Sequence, residues 1–450
     1  MNETRHKPST AVIVGLGKTG YACAAYLREH GWRLAVTDSR LDPPGLARLI
    51  ALDPEIPVHL GGFDTSLLDE AVCVVASPGV PLSDPFFVEA RRRGLEIVGD
   101  IELFALAVDA PVVGITGTNG KSTVTTLVGR MAARAGLKTR VGGNLGEPAL
   151  DLLAASQRDA RRTDLYVLEL SSFQLEATRS LDLKAAAILN ISPDHLDRYA
   201  SVEEYAAAKA RVYARCDIAV VNVDDPRVVA SVRPGQAILS FSLRAASGAD
   251  YTLGSQGSCL TRRGEPLLEL SELKIKGLHN AANALAALAL GDAAGLPLQP
   301  MLAELASFTG LPHRSQWVAD LRGVTFIDDS KGTNVGATVA AVAGTPGRLV
   351  VILGGDGKQQ EFAPLAAAFR GKVRHVVLIG RDAESIADAL QGVSSIERCG
   401  SLEEAVRAAA QAARPGETVL LSPACASLDM FRDYAHRGDV FARTVRELAA

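Results

Sequence analysis

The sequence contains no CxxC pair, and its six cysteines (Cys23, Cys73, Cys216, Cys259, Cys399 and Cys425) lie far apart. That scatter argues against a zinc site or a disulfide frame and fits reduced thiols in a cytoplasmic protein. Long apolar runs are missing too. The longest, around Leu285–Leu290, falls far short of the roughly 20 residues a bilayer-spanning helix needs. The first ten residues are polar, and the apolar stretch after them is soon broken by Gly15 and Gly17, so no signal peptide is expected. Basic excess is absent: the net charge of −4 gives no reason to expect nucleic acid as a partner, and any anion must be held by local sites. No short-period repeat is evident, although Gly235–Pro266 is rich in Ser and Gly and reads as a hairpin excursion.

What is present is an ordinary globular composition, 48% hydrophobic and 22% charged over 450 residues, a length that suggests about three domains. Short β-branched runs alternate with Ala/Leu-rich helical segments throughout, the pattern of an α/β chain with mostly parallel sheets. Strands are expected near Ala11–Val14, Leu34–Thr37 and Ala71–Ala76 in a first block, residues 1–99. A second block, 100–310, holds Val112–Ile115, Leu165–Leu170, Ala186–Asn190, Ile218–Asn222 and the helix Asn280–Leu290. The third, 311–450, holds Val324–Ile327, Leu349–Leu353, His375–Ile379 and Thr418–Leu421.

Chemistry concentrates in Gly114-Ile115-Thr116-Gly117-Thr118-Asn119-Gly120-Lys121-Ser122-Thr123, between an apolar run and a helical segment. A strand that turns through glycines into a helix aims backbone N–H groups at one anion; Lys121 adds a point charge and Ser122 a hydroxyl for a magnesium ion. The spacing departs from the strict P-loop, with glycines at 114 and 117 rather than at 115. A glycine-rich turn with a solvated lysine is the alternative. Gly15-Leu16-Gly17-Lys18-Thr19-Gly20 likewise follows a strand and opens a helix, and Asp38 stands where a ribose-binding acid would. That pair suggests a nicotinamide cofactor, although the turn reports only a diphosphate or nucleotide at a helix end, or no ligand at all. Ser77-Pro78-Gly79 ends another strand of this block.

Glu169 closes the apolar strand Tyr166–Leu168, where a carboxylate must pair with a cation or bind metal. Asp194-His195 follows a further strand end. Lys209 lies among small residues in a helical stretch and reads, on its own, as a solvated lysine. Asn280 and Asn283 sit three apart on one helix face, placed to cap the helix or to meet a purine edge. In the third block Pro312-His313-Arg314, Asp328-Asp329-Ser330-Lys331-Gly332-Thr333-Asn334, Gly354–Lys358 and Ser422–Ser427 flank strands. Basic and hydroxyl-bearing turns of this kind suit a small molecule with more than one carboxylate.

Together these motifs resemble the Mur ligases, ATP-dependent enzymes that add amino acids to the peptide stem of bacterial cell-wall precursors, and the resemblance runs from Gly15 past Ser427. Within the family, Asp38–Arg40, Asp194–Tyr199, Asp329–Asn334 and Leu421–Asp429 are similar to the members that join D-glutamate to UDP-N-acetylmuramoyl-L-alanine. The Asp-Asn-Pro-Arg signature of diaminopimelate-adding relatives is missing from the third block; Asp224-Asp225-Pro226-Arg227 lies in the wrong one.

The resemblance implies a Rossmann-like N-terminal domain, a central P-loop ATPase-like domain with a mostly parallel sheet, and a Rossmann-like C-terminal domain. It implies that Gly17, Lys18, Thr19, Ser39, Arg40, Ser77, Gly79, Asn144 and His195 contact the UDP substrate. ATP would be held by Gly117, Thr118, Asn119, Gly120, Lys121, Ser122, Thr123, Asn280, Asn283, Arg314 and Asp329. Ser122, Glu169, His195 and Lys209, the last as a carbamate, would surround two Mg²⁺ ions, and Lys121, Glu169, His195 and Lys209 would form the catalytic set. Lys331, Thr333, Lys358, Ser427 and Tyr434 would form the D-glutamate pocket. A cytoplasmic monomer with no membrane insertion follows from the same comparison. Departures from the family's usual residues are Lys18, Ser39, Gln316 and Tyr434. A nicotinamide-dependent oxidoreductase would explain Gly15–Gly20 and Asp38 but not the second cradle; another amino-acid-adding ligase without a UDP substrate would leave the first block without a purpose.

Overall fold

The computed structural model describes residues 9–275 and 277–448. Its strands form three sheets. The first holds β1 (Thr10–Val14), β2 (Arg33–Asp38), β3 (Val58–Leu60), β4 (Cys73–Ala76) and β5 (Glu96–Val98) in the order β3-β2-β1-β4-β5, every pair parallel. β1 and β2 are buried almost throughout, which is why they appear as unbroken apolar runs rather than alternating ones. The chain leaves β1 in one direction and returns at β4 in the other, opening a crevice at the carboxyl ends of these two strands. The turns after Val14 and Ala76 line that crevice, and the Ser77 hydroxyl donates to the Gly15 carbonyl at 2.7 Å. Gly20 must be glycine here, since a Cβ would stand 2.0 Å from that carbonyl oxygen.

The second sheet contains β6 (Val112–Thr116), β7 (Thr139–Gly143), β8 (Leu165–Glu169), β9 (Leu183–Ile188), β10 (Cys216–Asn222), β11 (Ala237–Ser242), β12 (Tyr251–Leu253), β13 (Cys259–Arg262) and β14 (Glu265–Glu269). Its order is β14-β13-β12-β11-β10-β9-β6-β8-β7. The Ser/Gly-rich excursion is partly a hairpin: β12, β13 and β14 pair antiparallel, whereas β11 and β12 continue the parallel sheet. One face of this sheet carries the helices Lys121–Arg134 and Leu278–Ala293 over a core that includes Val113, Ile115, Leu127, Leu285 and Leu288. The other face shares a single apolar cluster with the first sheet, reaching from Ala11 and Ile13 to Leu168 and Ile188. The first two domains are therefore packed together through a common core.

The third sheet runs β15 (Gln316–Leu321), β16 (Val324–Asp328), β20 (Thr418–Leu421), β17 (Leu349–Gly354), β18 (Val373–Ile379) and β19 (Ser395–Arg398). Only β15 is antiparallel. Both of its faces are covered. The expected strand Ala186–Asn190 lies earlier, at Leu183–Ile188, because the chain turns at Asn190, whose side chain accepts from the Asn119 amide at 2.8 Å.

Candidate active site

The Gly114–Thr123 segment folds as a strand, a turn and the start of a helix. Gly120 caps that helix with φ of +84°, and a Cβ there would stand 2.3 Å from Asn283 Oδ1. Gly117, at φ of +141°, passes against Leu189 and Asn190. Only bare backbone allows such close approach, and it lets Asn190 take up the N–H groups of Thr118 at 2.9 Å and Asn119 at 2.8 Å. The Lys121 ammonium bends back over its own turn, donating to the carbonyls of Gly117 and Thr118 at 2.8 Å each.

Ser122 begins a chain of polar contacts. Its hydroxyl donates to Glu169 Oε2 at 2.5 Å and accepts from Arg314 of the third domain at 2.6 Å. Glu169 Oε1 accepts from the Asn144 amide at 2.8 Å. Burial would raise the Glu169 carboxyl, but the Lys121 charge, the bonds from Ser122 and Asn144 and the Arg314 guanidinium hold it below its ordinary range. It is an ionised carboxylate in the interior, as the apolar strand around it requires.

Lys209 is 1% exposed. Its Nζ reaches Thr116 Oγ1 at 3.4 Å and lies 4.4 Å from the Tyr205 ring centroid, and no carboxylate pairs with it among the described residues. An ammonium held this way would cost several kcal/mol. Burial, reinforced by the Lys121 charge, accordingly pushes its pKa well below that of an ordinary lysine. A shift in that direction favours the neutral amine, the form that reacts with carbon dioxide.

Asp194 is buried at 6% exposure, with Lys358 Nζ at 2.5 Å, Asn334 Nδ2 at 3.3 Å and His195 Nε2 at 3.8 Å. His195 adopts φ of +55° and meets Phe173 edge-on at 5.0 Å. Burial pushes its pKa down to about 4, leaving a neutral imidazole at physiological pH.

Two cavities flank this centre. One, of about 330 Å³, lies between the second and third domains and is bordered by Asn119, Gly120, Thr123, Asn280, Asn283, Arg314, Asp329 and Lys331. Asn283 Nδ2 donates to Asn280 Oδ1 at 3.3 Å, and Asp329 accepts from the Ser315 amide and the Ser422 hydroxyl. Burial pushes Asp329 up to about 7. The second cavity, of about 430 Å³, is bordered by Gly17, Lys18, Thr19, Ser39, Arg40, Ser77, Gly79 and Asn144. Lys18 Nζ donates across it to the Gly146 carbonyl at 2.6 Å. His195 borders neither cavity.

Asp38 is not available to a ribose. Its carboxylate accepts from the Leu16 amide at 2.6 Å and from Arg40 through the backbone N–H, Nε and the guanidinium NH2. With both oxygens occupied, the acid is a brace for the turn, and the nicotinamide reading loses the residue that distinguished it.

The expected amino-acid pocket is only partly assembled. Lys331 sits 3.8 Å from the Tyr434 ring centroid and borders the 330 Å³ cavity; burial and the neighbouring Arg314 and Lys121 charges push it down to about 7. Lys358 is engaged by Asp194, and Thr333 and Ser427 border neither cavity. Asp194, Asn334 and Thr116 lie within the quoted motifs but were given no role of their own, and the structure brings them into the site. Asn334, bonded to Asn119 at 3.2 Å, becomes relevant only when the domains meet. Among the described residues, no three His, Cys, Asp or Glu side chains converge as a ready-made metal cluster.

A switch-point crevice in the first sheet, a phosphate cradle in the second and a third domain docked over it define a three-domain nucleotide-using ligase architecture, and the comparisons carry it to a family. Residues 9–99 match the MurD-like N-terminal domain of Mur ligases, 115–291 the Mur ligase middle domain and 313–425 the Mur ligase glutamate ligase domain. The chain belongs to the Mur ligase family. A relative from Nitrosococcus oceani is 50% identical over 444 residues, 98% of this chain and 97% of the relative. Another, from Chromobacterium violaceum, is 51% identical over 443 residues, 97% of each. Both are named UDP-N-acetylmuramoylalanine–D-glutamate ligase. Among solved structures, the UDP-N-acetylmuramate–alanine ligase of Thermotoga maritima shares the fold with a TM-score of 0.61 at 20% identity, covering 98% of this chain and 99% of that one. The MurF ligase of the same organism, solved with ADP, gives a TM-score of 0.61 at 16% identity over 99% and 97% of the two chains.

Proposed function

We propose that this chain joins D-glutamate to UDP-N-acetylmuramoyl-L-alanine at the expense of ATP, in the synthesis of peptidoglycan precursors. The observation that carries the reading is the placement of Asn144. It borders the 430 Å³ cavity, and its amide holds Glu169, which holds Ser122 at the head of the cradle helix. A substrate whose nucleotide lies in the first crevice and whose carboxylate extends past Asn144 meets a nucleotide γ-phosphate over Lys121. Residues 1–99 bind the UDP-sugar, 100–310 bind ATP and 311–450 supply the amino acid in this reading.

The carboxylate oxygen takes the γ-phosphoryl group, ADP leaves, and the D-glutamate amine attacks the acyl-phosphate carbonyl. The tetrahedral intermediate expels phosphate and the amine loses its proton. Lys121 and the N–H groups at the start of the cradle helix, beyond the two held by Asn190, stabilise charge on the transferring group, with little covalent work for the protein. Arg314 and Asp329 orient the nucleotide, and Asn280 and Asn283 meet its base. Lys331, neutral for part of its time near pH 7, suits an amine-binding corner beside Tyr434 and shares the D-glutamate pocket with Thr333, Lys358 and Ser427.

The Ser122 hydroxyl, the Glu169 carboxylate, the neutral His195 imidazole and a Lys209 carbamate are donors that suit Mg²⁺. Such ions would neutralise the phosphate charge during transfer. No helix among the described residues is long and apolar enough to cross a membrane, and in this reading the enzyme draws its ATP and UDP-linked substrate from the cytoplasm and works as a monomer.

The test is ATP-dependent phosphate release with UDP-N-acetylmuramoyl-L-alanine and a panel of amino acids. Turnover confined to D-glutamate is expected. Turnover with a different amino acid reassigns the third domain, and NADH fluorescence enhancement without ATP turnover overturns the reading.

A further inference from the structure

Among the side chains at the seam between the first two domains that the reaction described above does not use, Arg198 makes an unusual crossing. Arg198 lies on the turn begun by His195, and the amides of Arg198 and Tyr199 both donate to the His195 carbonyl, at 2.9 and 3.0 Å. Its guanidinium leaves that turn and crosses to the first domain. There it donates to the Pro78 carbonyl at 2.8 Å and to the Val80 carbonyl at 3.1 Å. These carbonyls flank Gly79, in the turn that forms the lip of the 430 Å³ cavity and is tied through Ser77 to Gly15.

The guanidinium is 12% exposed and has no slack. Its carbon lies 4.0 Å from the Phe173 ring centroid, and the same ring meets His195 edge-on at 5.0 Å and stacks on Tyr199 at 5.9 Å. Glu176 balances the charge from 3.8 Å. Beside it a void of about 10 Å³, bordered by Ser77, Asp100, Phe173 and Gln174, has room for no more than one water. A displacement of the lip is therefore passed to the His195 turn through two charge-assisted hydrogen bonds and one shared aromatic ring.

We propose that Arg198 is a positioning residue: by gripping both carbonyls of the Ser77–Val80 turn, it fixes the nucleotide-sugar cavity relative to His195. A substrate bound at the lip then presents its carboxylate in register with the ATP site. The inference rests on the reaction proposed above. It differs from a stabilising role in what it moves, because Arg198 is not among the residues that border the ATP cavity.

Steady-state kinetics of Arg198→Ala and Arg198→Lys decide it, with calorimetric titration of UDP and of a non-hydrolysable ATP analogue alongside. Loss of both bonds in Arg198→Ala should raise KM for the nucleotide-sugar about ten-fold or more and lower kcat, with KM for ATP unchanged within about two-fold. Lysine can reach one carbonyl and not both, so Arg198→Lys should fall between alanine and the unaltered protein. UDP binding should weaken in Arg198→Ala while the ATP analogue binds as before. Equal increases in both KM values, or kinetics like those of the unaltered protein, would overturn the proposal. Should Arg198→Ala not fold, the KM split in Arg198→Lys carries the same decision. If the unaltered protein does not turn over the nucleotide-sugar, the functional reading fails, and the two calorimetric titrations still decide the role of Arg198.

Discussion

A single buried amine carries the sharpest test at the scale of one residue. Lys209 has Thr116 and the Tyr205 ring as partners, and burial lowers its pKa well below that of an ordinary lysine. Carbamylation would replace the amine with anionic oxygen donors beside Glu169 and Lys121. Lys209→Ala should lose activity by about three orders of magnitude or more, and millimolar short carboxylic acids should restore part of it by occupying the vacated space. A variant that stays inactive with every such acid would count against the carbamate. Asp100 makes a different kind of prediction. It is 1% exposed, accepts from Gln174 Nε2 at 2.8 Å, and is pushed up to about 6, chiefly by burial. Its folded pKa lies above the unfolded value of about 3.9, so its favourable contribution is complete below that value and is lost as pH rises through about 6. Asp100→Asn removes the buried charge and keeps an acceptor for Gln174. The variant should be more stable than the unaltered protein by about 1–3 kcal/mol at pH 7.5, with the margin vanishing near pH 4. Thermal unfolding at the two pH values checks this, and a margin independent of pH removes the buried-charge explanation.

At the scale of elements, the two strand–turn–helix units were legible because their demands are local. A turn that needs φ of +84° and would put a Cβ 2.3 Å from Asn283 Oδ1 must be glycine, and the sequence displays that need directly at Gly120. Gly120→Ala imposes left-handed strain of about 1–2 kcal/mol and drives a methyl group into Asn283. The expected result is at least ten-fold weaker ATP-analogue binding, with UDP binding unchanged; equal affinity would show that the turn can shift. Asp38 misled for the same local reason. Its position matches a ribose acid, but its use by Leu16 and Arg40 depends on a turn that no spacing reveals. The strands β3, β5, β7, β15 and β19 escaped the sequence reading because they are short or lie at or near sheet edges, where polar residues interrupt the pattern. The Lys331 side chain is expected with D-glutamate, and the structure places it on the wall of the 330 Å³ cavity, a position that follows from the third domain's approach rather than from any motif.

At the scale of the whole molecule, the third domain meets the second without a shared apolar core, through polar contacts and the packing of helix Val335–Gly344 against helix Leu278–Ala293. The first two domains share one hydrophobic cluster, whereas the third has its own clusters on each face of its sheet. Its visible ties to the cradle are Arg314 to Ser122, Asn334 to Asn119, and Lys358 to Asp194 at 2.5 Å. Contacts of this kind support domain motion between open and closed arrangements. Of the three, the Lys358–Asp194 pair joins two groups that are largely removed from water, so deleting one partner strands a buried charge and costs more than the pair itself contributes. Lys358→Met should therefore shift the ligand-free protein toward an open arrangement. Its radius of gyration in small-angle scattering should exceed that of the unaltered protein. Adding the ATP analogue together with the nucleotide-sugar should bring the two curves together again, because ligands bridging the 330 Å³ cavity supply new contacts between the same domains. Identical ligand-free curves would mean that Lys358 does not hold the third domain and that Arg314 and Asn334 suffice. A variant that stays expanded with both ligands bound would instead make this pair a requirement for closure.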